Sequence, residues 1–178
     1  MLYFLCLGEA GGNILEVAHN RLDLSHLAAD RLPDLVAETG QTALLCVWGS
    51  FGPTVVRWER SANFIVTSLG LGSTLPLQGS ATGRVFLAFS PPQITAAVLA
   101  QEPPGPADAL KGETRDRGWA CVSGDLIAGL AAISAPVLNW QGEIEAAVTL
   151  IGTDVSILNS EGPALAALRR VCIEIGAG

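Results

Sequence analysis

Two apolar segments near the C-terminus constrain the fold of this chain more than any other feature. Residues 127–136 and 143–151 are predicted as consecutive strands joined by a turn over residues 139–142. Alternation places Leu130, Ala132 and Ser134 on one face of the first strand. It places Ala147, Thr149 and Ile151 on one face of the second strand. The opposite faces are also apolar and carry Ala131, Ile133, Ala135, Ile144, Ala146, Val148 and Leu150. Both faces must therefore be buried, one under helices and the other under a loop layer or around a cavity.

Helices are predicted at both ends of the chain. Residues 13–22 place their apolar side chains on one helical face, and a second helix follows with a kink at Pro33 and its end at Gly40. The final helix has one apolar face, which carries Leu165, Leu168, Val171, Cys172 and Ile175. Helices at both ends of an antiparallel sheet predict an α+β domain.

The middle of the chain begins with further strands. The β-branched run 42–48 and the alternating run 54–59 predict a hairpin with Gly52 and Pro53 in its turn. A short strand is predicted at residues 64–68.

Two more helices are predicted after these strands. Ser90 and Gln93 have the spacing of a capping box around two prolines, so a helix is expected to begin there. Residues 102–108 are rich in proline and glycine and are predicted as a loop, followed by a helix that leads to Gly118.

Composition excludes several classes of protein. The chain has 178 residues, the size of one domain, and 49% of them are apolar while 15% are charged, which suggests that another subunit covers part of the surface. Lysine and arginine are not clustered and the net charge is −7, so the chain by itself is not expected to bind DNA. No apolar run reaches the roughly 18 residues of a membrane helix. We therefore expect a cytoplasmic protein without a membrane partner.

Groups that could support catalysis are scattered. His19 and His26 lie in the N-terminal helices and are expected to be ordinary helix residues. Cys121 has no histidine nearby in the sequence, and Glu143 and Glu145 are expected to be solvated. The four cysteines have no metal-ligand spacing. No catalytic residue, metal site or cofactor is predicted.

A glycine-rich stretch over residues 69–89, LGLGSTLPLQGSATGRVFLAF, has the features of a ligand contact. The segment Leu75-Pro76-Leu77 leads to Ser80, and Ala81-Thr82-Gly83 opens an apolar helix. Small side chains and the free N–H groups of a helix start allow a ligand to approach closely.

This stretch resembles the block that opens the ligand pocket in the effector-binding domain of IclR-family transcription regulators. Two further blocks fit the same family. One comprises Arg117-Gly118-Trp119, Ala128-Gly129-Leu130 and Ala135-Pro136-Val137, and the other is residues 35–42, LVAETGQT, at the family's helix-to-strand entry. Together the blocks run nearly from end to end.

The resemblance implies one effector-binding domain over residues 1–178, with a GAF/PAS-like α+β fold and a central antiparallel sheet of about six strands flanked by helices. It also implies a small-molecule effector and a homodimer or homotetramer. DNA contact would come through a winged helix-turn-helix domain that precedes this one in the family and that nothing in this chain resembles. Carried over residue by residue, the pocket wall consists of Phe64, Thr67, Leu75, Ala81, Thr82, Val122, Leu130, Ala132, Thr149 and Ile151.

The wall departs from the pattern of family members that bind small keto-acids. Those members place Asp, Cys and Ser where this chain has Val122, Ala132 and Ile151. Thr149 keeps a hydroxyl, and Gln78 replaces a common histidine. Because a small polar acid needs several fixed polar partners to replace its hydration, we expect a larger, mostly apolar or aromatic effector. One carboxylate on it could be held by the N–H groups of the first two helical residues.

Two alternatives stay open. The chain could be a stand-alone GAF-like module that binds a partner protein and fills its pocket with its own side chains. It could also be a small hydrolase that uses Ser80 or Cys121, although the sequence offers no base nearby. Trp140 is predicted in a turn, where it is either a subunit contact or a chance surface aromatic.

Overall fold

A computed structural model of the chain describes residue 24 and residues 26–62 and 69–177. The described strands are β1 (Thr42–Gly49), β2 (Gly52–Glu59), β3 (Ala120–Ser123), β4 (Ala131–Leu138) and β5 (Ile144–Gly152). Helix α1 covers residues 24 and 26–39. It is followed by α2 (Ala81–Phe89), α3 (Pro92–Leu99), α4 (Ala107–Arg117), a 3-10 helix (Val155–Leu158) and α5 (Pro163–Gly176).

The strands form one antiparallel sheet in the order β2-β1-β5-β4-β3. The pairing of β4 with β5 places Ser134 opposite Thr149, and Leu44 of β1 lies on the other side of Thr149. The predicted α+β fold is confirmed. Five strands are described where about six were expected, and the predicted strand 64–68 lies outside the described residues, as does the predicted helix 13–22.

Both faces of the sheet are buried, as the alternation predicts. On the first, here called the packed face, Ile133, Val148 and Leu150 pack against α1 and α5. On the second, here called the cavity face, Ala132 and Ile151 lie under α2. The final helix buries its five predicted apolar residues against the packed face.

Two turns follow the glycine chemistry expected of them. Gly40 has a φ of 67° and its N–H donates to the carbonyl of Val36 at 2.8 Å, which closes α1. Gly118 has a φ of 76° and closes α4 in the same conformation. Both helices therefore end where the sequence predicts.

The start of β4 was predicted wrongly. The strand begins at Ala131, because residues 124–130 form an irregular loop. This loop contains Gly124 and Gly129, whose φ angles are 76° and 79°. The four residues of β3 were not recognised as a strand. Ile144 packs with the cavity face, because the register of β4 and β5 shifts between Val137 and Leu138.

Two local predictions in the middle of the chain were also wrong. Helix α3 has Pro92 in its first turn as expected, but its N-cap is Pro91 and no side chain caps it. Gly52 and Pro53 are the first residues of β2, so the hairpin turn falls on Ser50 and Phe51.

Within the described part of the chain, no helix is long and apolar enough to cross a membrane.

Candidate functional site

A cavity lies between the first turn of α2 and the cavity face of the sheet. Eight of the ten predicted wall residues line it, namely Leu75, Ala81, Thr82, Val122, Leu130, Ala132, Thr149 and Ile151. The other two, Phe64 and Thr67, lie outside the described residues. The wall also includes five residues that were not predicted as part of it: Leu44, Leu69, Ser80, Leu126 and Ile127.

Strand register explains how these residues meet. Ala132 of β4 is paired with Ile151 of β5 on one side and with Val122 of β3 on the other, so all three point to the same face. Thr149 lies two residues from Ile151 and therefore shares that face. The sheet supplies the floor of the cavity, and α2 supplies its opposite wall.

The first turn of α2 is fixed against this floor. The Ser80 hydroxyl accepts a hydrogen bond from the N–H of Gly83 at 2.9 Å and donates to the carbonyl of Pro76 at 2.7 Å. A Cβ atom on Gly83 would overlap the backbone of Pro76 and Leu77, so only glycine permits this close approach. The N–H groups of Ala81 and Thr82 belong to a first turn that has no intrahelical acceptors.

Buried hydroxyl groups connect the helix to the sheet. The Oγ1 atoms of Thr82 and Thr149 are 2.7 Å apart, and Thr149 donates to the Oγ of Ser134 at 2.9 Å. Ser134 in turn donates to the carbonyl of Val148 at 3.2 Å. These hydroxyls place a polar strip on an otherwise apolar wall.

The cavity is narrow. Its volume is about 40 Å³, so it holds a few water molecules at most. Residues 124–130, here called the covering loop, contribute Leu126, Ile127 and Leu130 to its wall. A ligand with an aromatic ring therefore requires the covering loop or another wall to shift.

The family assignment follows from the match along the chain. The family model for the C-terminal domain of the bacterial transcriptional regulator IclR matches residues 17–175. The chain belongs to the IclR family. Its described elements supply the antiparallel sheet and flanking helices expected from that resemblance.

Individual relatives agree with this assignment. The crystal structure of Pseudomonas aeruginosa HmgR is 34% identical with a TM-score of 0.77, over 96% of this chain and 72% of that chain. The HTH-type transcriptional regulator RhmR of Escherichia coli (strain K12) is 29% identical over 166 residues, which are 85% of this chain and 61% of RhmR. The chain thus spans less than two thirds of RhmR. The Thermotoga maritima IclR structure, 22% identical with a TM-score of 0.76, covers 94% of this chain and 71% of its own and shows the shared fold.

The sequence analysis missed two charged residues that hold the segments around this cavity in place. The guanidinium of Arg84 donates to the carbonyl of Gln78 at 2.8 Å, to that of Cys121 at 2.9 Å and to the carboxylate of Asp125 at 2.7 Å. The carboxylate of Glu102 accepts the N–H groups of Leu77 and Gln78. Arg84 thus holds the covering loop to α2, and Glu102 holds the segment before α2.

The described cysteines are protonated thiols near neutral pH. Burial raises the pKa of Cys46 to about 12, opposed by a hydrogen bond with Thr82, and burial raises the pKa of Cys172 to about 12. Burial also raises the pKa of Cys121, although the charges of Arg117 and Arg84 oppose the shift. A thiol with a raised pKa is a poor nucleophile near neutral pH. Among the described residues, no group of three potential ligands is arranged to hold a metal ion.

A larger groove of about 710 Å³ lies at the other end of α2. Its walls include Trp48 and Phe86, whose ring centres are 5.8 Å apart, and Phe89, whose ring lies 5.9 Å from the guanidinium of Arg115. Size alone favours this groove as a binding site. Convergent buried polar groups, which give a small-molecule site its specificity, favour the cavity at the first turn of α2.

Proposed function

We propose that this chain is the sensor domain of an IclR-type bacterial transcription regulator, and that it binds a small-molecule effector in the cavity at the first turn of α2. The observation that carries the proposal is that the expected wall residues meet in one place. Every described residue that the family resemblance assigned to the pocket wall lines this one cavity, although the residues come from separate parts of the chain.

The wall chemistry supports the proposed effector class. Leu75, Val122, Leu130 and Ile151 supply apolar surface, which favours an aliphatic or aromatic body. Polar groups are concentrated at the hydroxyls of the floor and at the first turn of α2. The effector is therefore mostly apolar or aromatic with one polar end, and one carboxylate on it would be held by the first-turn N–H groups.

Regulation requires that the effector bind two states of the regulator with different affinity. The DNA-binding domain that family members place before this domain would supply the DNA contact, and the sensor would form a homodimer or homotetramer. The exposed aromatic residues Phe51 and Trp140, which are 80% and 89% exposed, are candidates for subunit contacts. Effector binding would then shift the population between DNA-binding and released arrangements.

A thermal-shift screen of aromatic acids, phenols and alcohols tests the proposal. An effector present at 100 times its Kd should add about 2.7 kcal/mol to the free energy of unfolding. Thr149→Val should weaken the effect, whereas Thr95→Val, which removes a buried hydroxyl in α3 outside the cavity wall, should preserve it. Calorimetry in which pyruvate or glyoxylate binds more tightly than every aromatic acid would contradict the proposed ligand class.

The narrowness of the cavity favours a second candidate function, a GAF-like interaction module that binds a partner protein and no small molecule. Ala132→Leu separates the two, because it fills the cavity from the floor. A sensor carrying this substitution loses its response to the effector. An interaction module keeps its partner affinity, and none of the screened compounds stabilises the unsubstituted chain.

A further inference from the structure

The buried hydroxyl groups can be arranged in only one direction if all their hydrogen bonds coexist. Each hydroxyl has a single proton. The carbonyl of Val148 can only accept, so the proton of Ser134 is committed to it at 3.2 Å. Thr149 must then donate to Ser134 at 2.9 Å, and Thr82 must donate to Thr149 at 2.7 Å.

All three protons therefore point away from the cavity and into the sheet. Thr82, Thr149 and Ser134 are 1%, 2% and 0% exposed, so bulk water does not compete for these bonds. Thr82 and Thr149 line the cavity, whereas Ser134 does not. What the two threonines offer a ligand is the lone pairs of their oxygens.

The neighbouring thiol competes only weakly for the proton of Thr82. Cys46 is fully buried beside Thr82, and burial keeps it protonated near neutral pH. A neutral thiol sulfur is only a weak acceptor, so it does not draw the proton of Thr82 away from Thr149.

Resting on the proposed function, we infer that the effector donates a hydrogen bond to the Thr82–Thr149 pair, and that Ser134 sets this selectivity without touching the ligand. An alcohol, a phenol or an N–H group meets the requirement. An acceptor in the same place has to take the proton of Thr82 away from Thr149, which breaks one buried hydrogen bond. Any carboxylate on the effector therefore lies at the first-turn N–H groups and not at the hydroxyls.

Two rings of nearly the same shape test this selectivity. Indole donates through its N–H, and benzofuran has only an acceptor oxygen in that position. Calorimetry on the unsubstituted chain should show indole binding about 3- to 10-fold more tightly, the range expected for one hydrogen bond. Equal binding of the two rings, or tighter binding of benzofuran, overturns the inference.

Ser134→Ala should change the preference and not merely the affinity. Without the Ser134 oxygen, the proton of Thr149 turns to Thr82, and the proton of Thr82 turns into the cavity. The indole preference should then disappear or reverse, while Thr95→Val should leave it unchanged. An unchanged preference in Ser134→Ala would show that Ser134 has a structural role only.

A measurement without ligand separates this inference from the proposed function. In protein labelled at serine and threonine, NMR should place the hydroxyl proton of Thr149 next to the β-protons of Ser134. A proton on the Thr82 side overturns the inference and leaves the sensor function standing. If neither ring binds although the proton lies toward Ser134, the result counts against the proposed function, and the selectivity inferred from it falls too.

Discussion

The two faces of the sheet are both buried, and the cavity at the first turn of α2 lies on one of them. On the packed face, Ile133, Val148 and Leu150 fill the space below α1 and α5. On the cavity face, Ala132 and Thr149 lie opposite α2 and leave a gap. Small residues alone do not cause the gap, because the packed face also contains Ala135, which α5 covers closely through Cys172. The gap lies between the small residues of the floor, the first turn of α2 and the covering loop.

This difference shows that burial by itself does not identify a site. The packed face contributes stability through close contact. The cavity face carries the hydroxyls of Ser134 and Thr149 and is less closely packed, because it borders the cavity. A region that combines buried polar groups with incomplete packing is the better candidate for ligand binding.

The largest contrast is expected from truncation of leucine. Leu168 of α5 is completely buried on the packed face, so Leu168→Ala should lower the free energy of unfolding by about 2–5 kcal/mol. Leu75→Ala should cost less, because Leu75 borders an existing cavity and already lacks part of its contacts. Urea denaturation of both variants measures the difference, and an equal loss would remove the contrast between the faces.

A second contrast comes from enlarging two alanines of the same strand. Ala135→Leu should cost about 1–3 kcal/mol, because α5 leaves no room for the added carbons. Ala132→Leu should cost less than about 1 kcal/mol, because the new side chain enters the cavity. Denaturation midpoints compare the pair, and a larger loss for Ala132→Leu would mean that the cavity cannot take a side chain.

The pH dependence of stability offers a third comparison, between the buried thiols of the two faces. Burial raises the pKa of both Cys46, on the cavity face, and Cys172, on the packed face, from 9.0 to about 12. As the pH rises, a thiol loses its proton in the unfolded chain before it does so in the folded chain. Each thiol therefore lowers the free energy of unfolding by about 1.4 kcal/mol between pH 7 and pH 10, and this loss continues to about pH 12. Replacing either cysteine with alanine should remove its share of this loss. A smaller effect at Cys46 would indicate that water reaches it from the cavity.

The smallest effect on stability is expected at the covering loop. The pair Arg84–Asp125 is partly exposed, so Asp125→Asn should change the free energy of unfolding by less than about 1 kcal/mol. Amide hydrogen exchange in residues 124–130 should nevertheless become faster, because the loop loses its tie to α2. Glu113→Gln removes the exposed ion pair with Arg117 and serves as the control. Unchanged exchange in the loop would show that Arg84 does not hold it.

Prediction from the sequence succeeded where a local pattern carried the information. The alternation around Thr149 and Ser134 placed those residues on the correct strand faces, and Gly40 and Gly118 ended their helices. It failed for the covering loop, whose apolar residues were taken as the start of a strand. Those residues are apolar because they cover the cavity, and a linear pattern does not distinguish that role from a buried strand.

The sequence alone determined that the chain has an antiparallel sheet buried on both faces and which residues could form a pocket wall. The two-sided burial follows from periodicity, which is local, whereas the full set of wall residues came from the resemblance to the IclR family. Only the tertiary structure decided that Arg84 joins α2 to Cys121 and Asp125, that Glu102 holds the segment before α2, and how large the cavity is. Those outcomes depend on how closely elements distant in sequence approach one another, and packing of the whole domain sets that distance.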